Sequence, residues 1–145
     1  MKKIYLFFFF AFLLTSIGAY NQCTNASAFA TATAPATVGL TTTISTCSFQ
    51  TEYSTVNGLV AGYTYTINMS TGGCVTVHSG SPAGPVVSFG PPPLAFTPAA
   101  NGTYYFHWNV NCVGCATATN CVTTSITLTS TGPPPPSSMW YTYYI

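Results

Sequence analysis

From Gly62 to Ser70 the chain reads GYTYTINMS, placing Tyr63, Tyr65, Ile67 and Met69 on one side of an extended backbone and Thr64, Thr66, Asn68 and Ser70 on the other. That two-residue period describes a strand with one buried and one wet face, because a helix would need its apolar positions about three or four residues apart. Residues Cys121 to Thr129 repeat it, with Val122, Thr124, Ile126 and Leu128 opposite Thr123, Ser125, Thr127 and Thr129. The run Thr103 to Val110, TYYFHWNV, is aromatic on both sides and is expected to be a central strand. With shorter runs at 37–46, 49–56, 74–78, 85–89 and 94–97, the pattern predicts about eight strands. Asn57-Gly58, Gly72-Gly73, Ser79-Gly80, Gly90-Pro91 and Asn101-Gly102 supply turn chemistry between them. The expectation is an all-β antiparallel β-sandwich of jelly-roll type over residues 20–130.

A small sandwich gains from covalent ties, and the sequence holds six cysteines: Cys23, Cys47, Cys74, Cys112, Cys115 and Cys121. An even count in a short exported chain reads as a disulfide framework. The expected pairs are Cys23 with Cys47, Cys74 with Cys112, and Cys115 with Cys121, each contributing on the order of 2–4 kcal/mol. A zinc site is the competing reading, since Cys112 and Cys115 have zinc-like spacing and Cys74 with His78 would complete four ligands. Disulfides account for all the cysteines together and are preferred, so no metal or other cofactor is expected.

Export is read from the first residues. Lys2 and Lys3 precede an apolar run from Ile4 to Leu14, and small residues follow at Ser16, Gly18 and Ala19. The run falls short of the about 20 apolar residues of a membrane span, so residues 1–19 are expected to be a cleaved signal peptide and no stable span is expected after cleavage. Residues 131–145 read as a Pro-rich linker, Pro133 to Pro136, and an aromatic tail. The expected location is secreted or on the cell surface.

Both cationic side chains sit in that leader, so removing it takes the formal charge from +1 to −1, carried by Glu52. Without Lys or Arg there is no ion pairing to phosphates, and nucleic acid is excluded as a partner. Acid–base chemistry has only Glu52, His78, His107, the tyrosines and the cysteines to draw on, and no G-x-S-x-G elbow is present. His78 ends a strand and His107 alternates with Phe106 and Trp108, which is how structural histidines appear. A hydrolase using Glu52 is therefore the weakest reading, and the chain is expected not to be an enzyme.

Several segments resemble known secreted modules. The order Ala61-Gly62-Tyr63-Thr64-Tyr65, Val75-Thr76-Val77, and Leu94 through Asn101-Gly102-Thr103-Tyr104-Tyr105-Phe106 is similar to the bacterial pre-peptidase C-terminal β-sandwich domain. Gln22 to Ser27 (QCTNAS), Thr42 to Cys47 (TTISTC) and Gly58 to Thr66 (GLVAGYTYT) resemble a repeat module of Bacteroidota surface proteins exported by type IX secretion. The resemblance covers roughly Cys23 to Ser130 and implies an extracellular β-sandwich within a longer surface protein. Calcium-binding members of the first family use acidic loops, and this chain has no Asp, so that site is not carried over.

What remains is recognition through hydroxyls, amides and aromatic faces, which ionic strength does not weaken. The leading expectation is a non-catalytic module for adhesion, binding a neutral glycan or a surface protein, with Trp108, Trp140, Tyr141 or clustered tyrosines as stacking platforms. Core packing is the competing reading for Trp108. A self-assembling fibre or surface-layer subunit, a homo-oligomer joined through the strand Trp140 to Ile145, is the alternative. Threonine pairs such as Thr31/Thr33, Thr64/Thr66 and Thr117/Thr119 raise ice binding, but they do not recur at a fixed period.

Overall fold

A computed structural model describes residues 22–132. The expected leader, residues 1–19, and the tail from residue 133 onward, with Trp140 and Tyr141, lie outside the described residues. Nine strands are present among the described residues: β1 Ser27–Thr33, β2 Thr41–Ser48, β3 Glu52–Leu59, β4 Thr64–Met69, β5 Cys74–Ser79, β6 Val86–Gly90, β7 Leu94–Phe96, β8 Gly102–Asn109 and β9 Val122–Ser130. They form a five-stranded sheet in the order β1-β3-β8-β5-β6 and a four-stranded sheet in the order β2-β9-β4-β7. The pairs β2/β9, β3/β8, β4/β7 and β5/β6 are all antiparallel. This is one long hairpin, β2 to β5 against β6 to β9, wound into two layers, which is the jelly roll. As expected, β8 is the central strand of its sheet.

β1 departs from the expectation. It adds to the free edge of β3 in parallel, with Ala28 opposite Tyr53 and Thr31 opposite Thr55. Its inward residues, Ala30 and Ala32, are too small to announce a buried face, and its one large apolar side chain, Phe29, points outward at 43% exposure.

The alternation does what it implies. Tyr65, Ile67 and Met69 of β4 and Val122, Ile126 and Leu128 of β9 meet Val56, Val75, Val77, Tyr104, Phe106 and Trp108 from the opposite sheet. Burial of each such aliphatic or aromatic side chain contributes about 1.5–3 kcal/mol. Polar atoms at this face are paired. Trp108 Nε1 donates to Ser54 Oγ at 3.0 Å, and that hydroxyl donates to the Phe29 carbonyl at 2.9 Å, tying β8 to β3 and β1. Thr124, the polar residue on the inner side of β9, shares a 3.2 Å hydroxyl bond with Ser48.

The disulfides are Cys23–Cys115, Cys47–Cys121 and Cys74–Cys112, with Cα separations of 5.4, 4.2 and 5.0 Å. The expected Cys74–Cys112 pair is present; the Cys23–Cys47 and Cys115–Cys121 pairs are not. Register explains the correction. Ser48 lies opposite Val122, and the irregularity in β2 between Ser45 and Ser48 sets Cys47 beside the residue that precedes Val122, Cys121, with a Cα separation of 4.2 Å; Cys23 is left to reach Cys115. All three bridges therefore end on the β8–β9 loop, residues 110–121, and fasten it to β5, to β2 and to the segment preceding β1. The same pairings consume Cys74, Cys112 and Cys115, so the zinc reading fails. Close packing at this end also fixes Gly73, where an added Cβ would meet the Asn109 carbonyl oxygen and Gln50 Nε2.

Candidate ligand-binding face

Turned away from the core, the outer face of the five-stranded sheet carries rings and hydroxyls in rows set by strand register. One row runs Tyr53, His107, Thr76, Phe89 across β3, β8, β5 and β6. The next runs Thr31, Thr55, Tyr105, His78 across β1, β3, β8 and β5. Tyr53 packs edge-on to Tyr105 with centroids 6.1 Å apart, and lies 5.1 Å from the His107 ring at a 30° tilt. Beyond them Thr103 donates its hydroxyl to Asn57 Oδ1 at 2.8 Å. Tyr53, Thr55, Asn57, Thr103 and Tyr105 are all half-buried, while Thr31 and Thr33 at the sheet edge are exposed. None of these side chains carries a charge.

The two histidines, 29 positions apart in sequence, meet with ring centroids 4.4 Å apart. Both are buried, although they lie on the outer face, because the Thr24-Asn25 segment and the Ser79–Pro85 turn cover them. Their hydrogen bonds fix their tautomers. His107 Nδ1 accepts the Asn25 backbone N–H at 2.8 Å, so the proton of the neutral ring is on Nε2. His78 donates from Nδ1 to the Gly84 carbonyl at 2.7 Å, leaving Nε2 to accept from the Thr24 hydroxyl at 3.5 Å. Burial lowers the His107 pKa to about 4, with the neighbouring His78 acting in the same direction and the Pro82 carbonyl opposing both.

Pro82 does not satisfy the ring: His107 Nε2 has no hydrogen-bond partner of good geometry, and neither does Thr76 Oγ1. These two atoms belong to residues directly opposite each other in the β5/β8 ladder. Each unsatisfied buried polar group costs about 1–3 kcal/mol.

At the lower end of the same sheet a cleft of about 340 Å³ opens between the ends of β5 and β8, lined by Ser79, Gly80 and residues 100–104. Thr103 belongs both to the cleft and to the outer face. Asn101 is held there by accepting the Ala61 N–H at 2.7 Å, and Tyr104 by donating to the Ala100 carbonyl at 2.8 Å.

The residues singled out in the sequence fare differently. Trp108 is fully buried, edge-on to Phe106 at 6.0 Å, so core packing replaces the stacking-platform expectation. Trp140 and Tyr141 lie outside the described residues. Glu52 turns toward the β2–β3 connection, where its Oε2 accepts the Phe49 N–H at 2.9 Å; His107 packs with Tyr53 and His78 instead. No group of three or more His, Cys, Asp or Glu side chains converges among the described residues. No helix among them is long and apolar enough to cross a membrane. Tyr53 and Tyr105 were not individually legible as a pair, although the placement of Tyr105 between the core residues Tyr104 and Phe106 already assigns it to the outer face. No protein-family model matches the chain, and neither does any curated protein or solved structure compared with it.

Proposed function

We propose that this chain is a non-catalytic extracellular binding module that recognises a neutral glycan on the outer face of its five-stranded sheet. One observation carries the reading: Tyr53 and Tyr105 stand half-exposed and mutually packed among Thr31, Thr33, Thr55, Thr103 and Asn57, with no charged side chain in the patch. Sugar C–H faces stack on tyrosine rings, and hydroxyls and amides match sugar hydroxyls as both donors and acceptors. The adjoining cleft gives a neighbouring sugar unit a place to seat. A charge-free patch holds neither phosphate nor acidic sugar. The three disulfides fit an oxidising environment, which supports a secreted or cell-surface setting. Membership in a longer surface protein rests on the resemblance of its segments to secreted Bacteroidota modules.

The test is an array of neutral and acidic glycans probed with the wild-type chain, Tyr105→Ala and Tyr53→Ala. The reading predicts retention on neutral glycans and its loss in both variants. An array blank for the wild type sinks it, as does binding confined to acidic glycans.

A further inference from the structure

The glycan reading leaves the buried end of the Tyr53 row unexplained. Beyond Tyr53 the row continues into His107 and Thr76, and these carry, among the described residues, the two buried polar side-chain atoms without a hydrogen-bond partner of good geometry, Nε2 and Oγ1. Cross-strand neighbours hold their Cβ atoms about 4.5–5.5 Å apart, so a single hydroxyl group can reach both. Their chemistry is complementary to such a group. His107 Nε2 must donate, because Nδ1 is occupied by the Asn25 N–H, and the Thr76 hydroxyl can accept or donate. The tautomer also excludes a metal ion at His107, since binding through Nε2 would require removing its remaining proton.

A turn lies over the two histidines. Residues 79–85 close on themselves through Ser81 N–H to Ser79 O, Gly84 N–H to Ser81 O, and Ser79 N–H to Pro85 O. From the turn, the Gly84 carbonyl accepts from His78 Nδ1 and the Pro82 carbonyl lies near the His107 ring. Ser79 and Gly80, the first residues of that turn, also line the cleft. A ligand in the cleft thus touches the turn that lies over His107.

Resting on the glycan reading, we propose that the Ser79–Pro85 turn is a flap and that His107 Nε2 and Thr76 Oγ1 beneath it form a subsite for one hydroxyl of a neutral sugar. Sugar stacked on Tyr53 and Tyr105 projects a hydroxyl inward as the turn lifts, accepting from His107 and donating to Thr76. The pair supplies orientation, and the tyrosines supply contact area.

The experiment titrates the disulfide-bonded chain with cellohexaose, maltohexaose and mannohexaose by calorimetry, alongside ¹⁵N-detected histidine spectra. Thr76→Val is the main variant, because Thr76 Oγ1 makes no bond in the free protein and valine keeps the β-branched shape. Binding of at least one sugar is expected, weakened about tenfold by Thr76→Val, with the His107 Nε2 resonance shifting at saturation and His78 Nδ1 losing its bond to Gly84. Equal affinity in Thr76→Val and an unmoved Nε2 resonance overturn the subsite and leave an ordered water only. If that result comes with loss of binding in Tyr105→Ala, the tyrosine platform stands and the subsite alone falls. If none of the three sugars binds, both fall.

Discussion

Acid lowers the stability of most proteins by protonating many carboxylates at once, but this chain has one acidic side chain, so His107 can be isolated. Its pKa drops from 6.5 to about 4 on folding, first because burial strips water from the charged form and second because His78 lies beside it. With the folded value below the unfolded one, the unfolded chain binds more protons between these limits. The contribution to stability is therefore fully present above about pH 6.5 and is lost as pH falls through about 4. A drop of about 2.5 at about 1.36 kcal/mol per pH unit gives about 3 kcal/mol, a large share of the ~5–15 kcal/mol that holds a domain folded. Protonation also turns Nδ1 into a donor facing the Asn25 N–H, so the segment over the sheet is the first to loosen. Guanidinium unfolding between about pH 7.5 and about pH 4 measures this directly. Wild type should lose stability with a slope near 1.4 kcal/mol per pH unit in the middle of the range, and His107→Gln, whose amide can still accept the Asn25 N–H, should be nearly flat. A flat wild-type profile, or an unchanged slope in the variant, refutes the reasoning.

Other outcomes follow from the same structure. Thr76→Val removes a buried hydroxyl without a partner and should leave the free protein unchanged or up to about 1 kcal/mol more stable, read as a rise in the denaturant midpoint at constant m. Replacing Cys23 and Cys115 together by alanine opens a 92-residue loop and should cost about 2–5 kcal/mol in melting experiments, with the loop around Val113, 76% exposed, becoming the first site of proteolytic cleavage. Glu52→Gln should cost no more than about 1 kcal/mol, since the amide oxygen can still accept the Phe49 N–H, and should leave glycan affinity unchanged. Trp108→Ala should cost about 3–5 kcal/mol through the cavity it leaves and the loss of its hydrogen bond to Ser54.

Sequence alternation was a sufficient guide where a strand pairs large apolar residues with threonine, as in β4 and β9, and where aromatic residues fill both faces, as in β8. It failed at β1, whose inward alanines give no contrast and whose parallel docking depends on an edge that exists only after β3 and β8 have paired. Cysteine pairing was legible where the start of β5 meets the residues that follow β8, Cys74 with Cys112. It was not legible for Cys23 and Cys115, because three cysteines share one loop and only the folded placement of β2, β5 and the segment before β1 around that loop sorts their partners. Local alternation places both histidines in strands, but their mutual contact and the unmatched atoms of His107 and Thr76 arise from β5/β8 register, which no local spacing encodes. Trp108 was ambiguous for a related reason: a tryptophan in a doubly aromatic strand reveals its side only once the sheet has a second layer.

A chain almost without charge recognises its partner, on this account, through tyrosine faces and hydroxyls alone. Calorimetry of wild type with the neutral glycan it retains, compared at about 0.05 M and about 1 M salt, tests that most directly, because salt at the upper limit shrinks the screening length to about 3 Å and removes exposed ionic contributions. The predicted result is a dissociation constant unchanged within about twofold and lost on Tyr105→Ala; an affinity that falls tenfold or more with salt, or survives loss of the tyrosine, contradicts it.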